Sequence, residues 1–262
     1  MTTRTISAAT NGPVTIDAAL LGHGGTITVR ASADCERATL TISTTDESGP
    51  AADAVRDATL RQGGAGLVAS VEGKADNGGS TTGITGSRRG VTVVQNAGVV
   101  TGNLVGFNAA PIAIEATVPE GSSVTGRTQS ADVQLEGAVR NVSAHTQSGD
   151  VRVEQADHIA VKTMSGDVRL GRTDVVEANT MSGDITIADF GGTAQLKTMS
   201  GDIRVHATVG GDIDASSMSG DVTVTATQAA LDDQLDIRPR SMSGRISVPS
   251  RRTPGAGPRR RR

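Results

Sequence analysis

The triplet Ser-Gly-Asp recurs through the second half of the chain, in step with an alternating pattern of aliphatic residues. Aligned on the serine, the units are marked by Ser130, Ser148, Ser165, Ser182, Ser200, Ser219 and Ser243, with spacings of 18, 17, 17, 18, 19 and 24 residues. After the serine come Ala131, Gly149, Gly166, Gly183, Gly201, Gly220 and Gly244. Next come Asp132, Asp150, Asp167, Asp184, Asp202, Asp221 and finally Arg245. Three and five residues after each serine stand only Val, Ile or Leu, from Val133 and Leu135 to Ile246 and Val248, with mostly polar residues between. That is the two-residue period of a strand with one buried face. A second strand of the same period precedes each triplet. Six positions before the serine it holds Val124, Val142, Ile159, Val176, Ala194, Ile213 and Ile237, and two before it holds only Thr or Ser.

A unit of two short strands cannot bury its apolar face alone. Equivalent strands stacked about 4.8 Å apart build a continuous thin core. A sandwich of unrelated strands has no reason to keep the same residue types in the same register seven times. The sequence therefore predicts an all-β fold: a β-solenoid of stacked two-strand rungs over residues 111–248, each rung running strand, corner, strand, loose loop. At the corner Gly is expected to supply positive φ, with Ser and Asp bonding to nearby backbone. Gly149, Asp150, Gly166, Asp167, Gly183, Asp184, Gly201, Asp202, Gly220 and Asp221 are thus structural turn residues, and Ala131 is a departure. Composition agrees: Phe107 and Phe190 are the only aromatic residues, so the core must be made of small aliphatics, as thin β layers are.

Repeated t-x-S-G-D-[VI]-x-[VI] units, preceded by the phrase IAIEATVPEGSSV, resemble the bacterial putative-adhesin family. It is also described as a DUF4097-type domain of unknown function with β-strand repeats. The resemblance covers roughly residues 111–248. It implies a β-solenoid with an adhesin-like role and no established enzymatic activity.

Residues 1–110 do not fit the repeat register and read as a β-rich cap over the first rung. Short strands are expected at residues 14–16, 26–29, 38–42, 66–71, 91–94, 98–106 and 112–118, a helix at 53–61 and a loop at 74–89. Residues 249–262 read as a disordered tail. Its arginines, Arg251, Arg252 and Arg259 to Arg262, could make weak, salt-sensitive contact with a polyanion. The single Cys35 excludes an internal disulfide framework, and the net charge of −3 does not suit a nucleic-acid binder. No signal peptide or membrane-spanning run is visible, so the expected location is the cytoplasm, with non-standard export left open.

Three columns invite a functional reading. Met164, Met181, Met199, Met218 and Met242 directly precede the serine, continued upstream by Gln129 and Gln147. By alternation they point outward or sit at the corner, where they form an interaction surface or seal the turn. The Asp column is either a structural corner or a cation ladder. The Thr column would suit ice binding only if it faced out, and alternation puts it inside. His23, His145, His158 and His206 are dispersed, and no nucleophile elbow or phosphate loop is present. No catalytic, metal or cofactor residues are assigned. The sequence thus points to a non-catalytic structural or interaction module, with a protein partner or a second copy as its target. The alternative is a ligand-binding protein or enzyme with a pocket between the N-terminal region and the solenoid.

Overall fold

A strand with alternating aliphatic residues needs cover for one face and hydrogen-bonding partners for two edges. In the computed structural model, which describes residues 1–64, 66–72, 84–87, 90–95, 98–102 and 110–249, the repeats meet both needs by stacking in parallel. The N-terminal part holds β1 (Thr2–Ser7), β2 (Thr15–Ser32), β3 (Thr39–Thr44), helix α1 (Pro50–Asp57), β4 (Thr59–Gly63) and β5 (Gly66–Glu72). Strands β6 (Ile84–Ser87), β7 (Gly90–Gln95) and β8 (Gly98–Gly102) form an antiparallel meander, and β9 (Ile112–Pro119) follows. The solenoid strands are β10 (Ser123–Thr146), β11 (Val151–Thr163), β12 (Val168–Ser182), β13 (Ile185–Ser200), β14 (Ile203–Ala207), β15 (Asp212–Ser219), β16 (Val222–Ala226), β17 (Asp236–Ser241) and β18 (Ile246–Ser247). Helix α2 (Gln228–Asp232) occupies the long insertion before β17.

Residues that align in the repeat are neighbours in space. Val133, Val151, Val168, Ile185, Ile203, Val222 and Ile246 pair in succession. So do Val142, Ile159, Val176, Ala194, Ile213 and Ile237. Both columns face inward and are buried in all but the last rung, in one hydrophobic cluster running from Ala8 to Ala230. The Thr column lies inside as well: Thr128, Thr146, Thr163, Thr180, Thr198 and Ser217 are all buried.

The stretch expected to be a loose loop carries a third inward column. Val139, Ala156, Thr173, Phe190, Ala207 and Ala226 stack on one another and close the core opposite the Ser-Gly-Asp corner. Alignment on the serine hides this column, because Val139 stands nine residues after Ser130, Ala156 eight after Ser148 and Ala207 seven after Ser200. Phe190, fully buried, is the largest side chain of this column, stacked between Thr173 and Ala207.

The N-terminal region does not stand outside the register. Strand β2 is a complete rung: Ile16 pairs with Val124, Ala18 with Gly126, Ile27 with Val133 and Val29 with Leu135, all in parallel. It escapes the motif because its corner is different. Leu20 pairs with Thr128 and Gly24 with Ser130, so β2 spends four residues where the repeat spends two. Strand β9 precedes β10 in sequence yet lies on the far side of β2, which is held between them. Buried Ser122 pins this crossing: its hydroxyl donates to the Pro119 carbonyl (2.6 Å) and accepts from the Val14 N–H (3.1 Å).

Beyond β2, strands β9 and β5 continue the two sides of the stack, and β3, β1 and β4 add to them antiparallel. Helix α1 begins at Pro50, where a missing N–H costs nothing, and buries Ala51, Ala52, Ala54 and Val55. It ends before residues 59–61, expected to be helical, which belong to β4. Residues 84–87, expected within a loop, form β6. Strand β1 was not expected. The tail from residue 250 onward and most of the segment 73–109 lie outside the described residues.

Replacing Ile27 by Ala should lower stability by about 2–5 kcal/mol, because it is fully buried in a rung with a neighbour on each side. Urea unfolding of the full chain checks this. A near-zero change would mean that β2 is not part of the folded stack.

Candidate functional site

The regularity of the surface is set at the Ser-Gly-Asp corner. Its glycines are not there for positive φ: among the described residues none of Gly149, Gly166, Gly183, Gly201 or Gly220 adopts it. They are there because the corners nest. A Cβ on Gly166 would lie 2.1 Å from the Gly149 carbonyl oxygen, and one on Gly183 2.1 Å from that of Gly166. The same contact recurs from Gly201 to Gly183 and from Gly220 to Gly201, at 2.1 and 2.0 Å. Ala131 is accommodated because the corner stacked on it belongs to β2, which carries the two extra residues.

The aspartates tie each corner to the next. Asp132 Oδ1 accepts from the Asp150 N–H (2.9 Å), Asp150 Oδ1 from Asp167 (3.0 Å) and Asp167 Oδ1 from Asp184 (3.1 Å). Asp184 Oδ1 accepts from Asp202, and Asp202 Oδ1 from Asp221, both at 2.8 Å. Asp221 Oδ1 accepts from the Arg245 N–H at 2.7 Å. Carboxylates one strand apart repel one another, and arginines two residues on relieve this. Arg169 bridges Asp150 (3.4 Å) and Asp167 (2.8 Å), and Arg204 bridges Asp184 (3.0 Å) and Asp202 (2.6 Å). Arg152 adds a bond to Asp150 at 2.9 Å. Both oxygens of Asp150, Asp167, Asp184 and Asp202 are therefore engaged by backbone N–H groups and guanidinium groups, which is the chemistry of a corner and not of a cation ladder. The Asp202 N–H holds the Asp184 carboxyl below the usual carboxylate range, helped by Arg204 and opposed by partial burial.

Inside the corner several hydroxyls of the column meet the same backbone, while Thr163 and Thr180 Oγ1 are buried without a hydrogen-bond partner. Thr146 Oγ1 accepts from the Gly149 N–H (2.8 Å), while Ser217 and Ser241 donate to the Gly201 (3.1 Å) and Gly220 (2.9 Å) carbonyls. Facing inward, this column presents nothing to ice or solvent.

One position before the serine the backbone is used and the side chain is not. The Ser182 N–H donates to the Met164 carbonyl (2.8 Å) and the Ser243 N–H to that of Met218 (3.0 Å). The Met side chains remain in solvent: Met164 is 51% exposed, Met181 46%, Met199 48%, Met218 48% and Met242 79%. They form a straight stripe across five successive rungs and include every methionine of the chain except Met1. Upstream the stripe turns polar, and Gln129 Oε1 accepts from the Gly22 N–H (2.9 Å), bracing the wider corner of β2. Two shallow grooves also cross the rungs. One, of about 520 Å³, has Val142, Ile159 and Val176 in its floor and Asn141, His158 and Glu177 along its rim; the other, of about 450 Å³, lies over Leu135, Val153 and Leu170. Neither draws the dispersed histidines together, and the surface residues missed by the motif are those of these grooves, whose only sequence signal is their place beside the core columns. Among the described residues no helix is long and apolar enough to cross a membrane.

Gly183→Ala should destabilise the chain by about 3 kcal/mol, the upper end for overpacking, read as a shift in urea midpoint. The lowered Asp184 carboxyl stabilises the fold above its unfolded pKa of about 3.9 and loses that effect as pH falls through the lower folded value. Asp184→Asn keeps an oxygen acceptor but no charge. It should melt lower at neutral pH and lose less on acidification below about pH 4, as thermal melts across pH would show.

Comparison with known proteins places the fold. No curated protein matches the chain. The crystal structure of a putative adhesin from Bacteroides fragilis NCTC 9343 superposes with a TM-score of 0.50 and 18% identity, over 94% of this chain and 97% of that one. A putative adhesin from Parabacteroides distasonis ATCC 8503 gives 0.42 and 13%, over 94% and 96%. A putative lipid binding protein from the same organism gives 0.43 and 14%, over 95% and 97%. At these identities the first shows a shared fold. The Toastrack DUF4097 family model matches residues 55–256, more than half of the chain and all of the Ser-Gly-Asp repeats, and the chain belongs to that family.

Proposed function

We propose that this protein is a non-catalytic interaction module, adhesin-like in kind, that presents its Met stripe to a protein partner. The observation that carries this is the stripe itself: five half-exposed or more exposed methionines, one per rung, on a scaffold locked by the corner bonds. Exposed apolar side chains that recur in register are costly unless something covers them. Unbranched thioethers can adapt to a partner's relief while the backbone stays fixed. The corner aspartates and glycines are scaffold residues in this reading, since their polar atoms are already bound within the stack. The Bacteroides fragilis protein that shares the fold is itself described as a putative adhesin, which agrees with an interaction role.

Changing Met164, Met181, Met199, Met218 and Met242 together to Ser should leave folding cooperative, with each site shifting stability by no more than about 0.5 kcal/mol, as surface positions do. Proteins retained by the wild-type chain in affinity purification from its native cells should be lost from the variant. A large drop in stability would instead assign the stripe to sealing the corner, and an unchanged set of retained proteins would place the contact elsewhere.

A further inference from the structure

A stack of equivalent rungs has no inherent end, because its last rung presents the same unpaired backbone that bound the rung before it. At the N-terminal end, β9, β5 and the antiparallel strands beyond them cover the β2 rung. At the other end, among the described residues, β17 and β18 are paired on one side only. Ile246 and Val248, whose equivalents are buried in earlier rungs, are 42% and 46% exposed there.

The last rung departs from its predecessors in both of its strands. In β17 the residue stacked on Ala215 is Pro239, whereas the same column earlier reads Ala144, Val161, Ala178 and Leu196. The N–H groups of Asp236 and Met242 donate inward, to the Gly211 (2.9 Å) and Ser217 (3.3 Å) carbonyls. Backbone groups of alternate residues in a parallel strand point to the same neighbour, so the N–H and C=O positions of Ile237, Pro239 and Ser241 point to the open edge. Proline has no N–H, and the central donor of that edge is missing. At the corner, Arg245 replaces the aspartate. Its N–H closes the ladder on Asp221 Oδ1 at 2.7 Å, but a guanidinium only donates, so the acceptor that six earlier rungs hold out to their successor is absent. An incoming corner N–H would meet a cation.

We propose that the last rung is a built stop, in which Pro239 and Arg245 keep a second copy of this chain from adding end-on to the solenoid. Each removes one half of what a following rung needs: a donor along the strand edge and an acceptor at the corner. The stop is independent of the Met stripe, which runs along the side of the stack.

Sedimentation velocity over a wide concentration range, with thermal melts, tests this on the full chain. The variants are Pro239→Ala, Arg245→Asp and the double substitution, all of which restore residue types that earlier rungs carry at the same positions. The wild type should keep a concentration-independent mass. The double variant should at least double its mass at high concentration while melting cooperatively, and should do so equally in the five-Met-to-Ser background, which separates end-on from lateral contact. A well-folded double variant that sediments like the wild type overturns the proposal, as does a wild type that associates to the same extent. Should the double variant lose its cooperative melt, the two single variants are measured in the same way: a rise in mass in either supports the stop, and a wild-type mass in both overturns it.

Discussion

Everything in this molecule depends on how closely one corner can approach the next. The carbonyl of one corner sits where a Cβ on the glycine of the next rung's corner would be, so glycine is the residue that permits the contact. Once glycine admits it, the aspartate beside it can reach the next rung's N–H, and the hydroxyl two residues before the serine lines the inside of the turn. The three residue types are therefore one device seen from three sides. Nesting sets the spacing, the carboxylate satisfies the N–H that turning would orphan, and the hydroxyl column fills the inside of the turn, bonding its backbone at Thr146, Ser217 and Ser241.

The device has an electrostatic cost that the chain meets locally. A column of carboxylates at strand spacing is unfavourable, and the remedy is not uniform. Arg152, Arg169 and Arg204 each lie two residues beyond an aspartate, and Arg169 and Arg204 each reach back one rung further. Three arginines thus serve four aspartates. The pairs are part-exposed, so their direct contribution to stability is small. Their effect is to offset the repulsion between carboxylates held at strand spacing.

The repeated part of the fold was legible because every requirement there falls on a fixed residue: Gly at the nesting point, Asp at the ladder, Val or Ile at alternate core positions. Where a requirement can be met in several ways the sequence goes quiet. The far corner needs only something apolar of suitable volume, and Val139, Thr173 and Phe190 all serve while their distance from the serine drifts. Strand β2 has the alternation of a rung but turns through two extra residues, so a search keyed on the triplet passes over it. The outward direction of the Met column followed from alternation. The reason for glycine did not, since a close approach between rungs cannot be seen in one copy of a motif and φ is the more familiar explanation.

Each corner touches only the corner before it and the corner after it. The molecule is consequently modular in length: a rung of 17 residues can be removed, or another inserted, and the same contacts re-form between new neighbours. Over the stretch from Met164 to Met242 each rung carries one methionine, so there the length of the stripe follows the number of rungs. The chain behaves as a ruler whose graduations are thioethers, and the stripe can be lengthened or shortened without redesigning any single contact that holds the stack together.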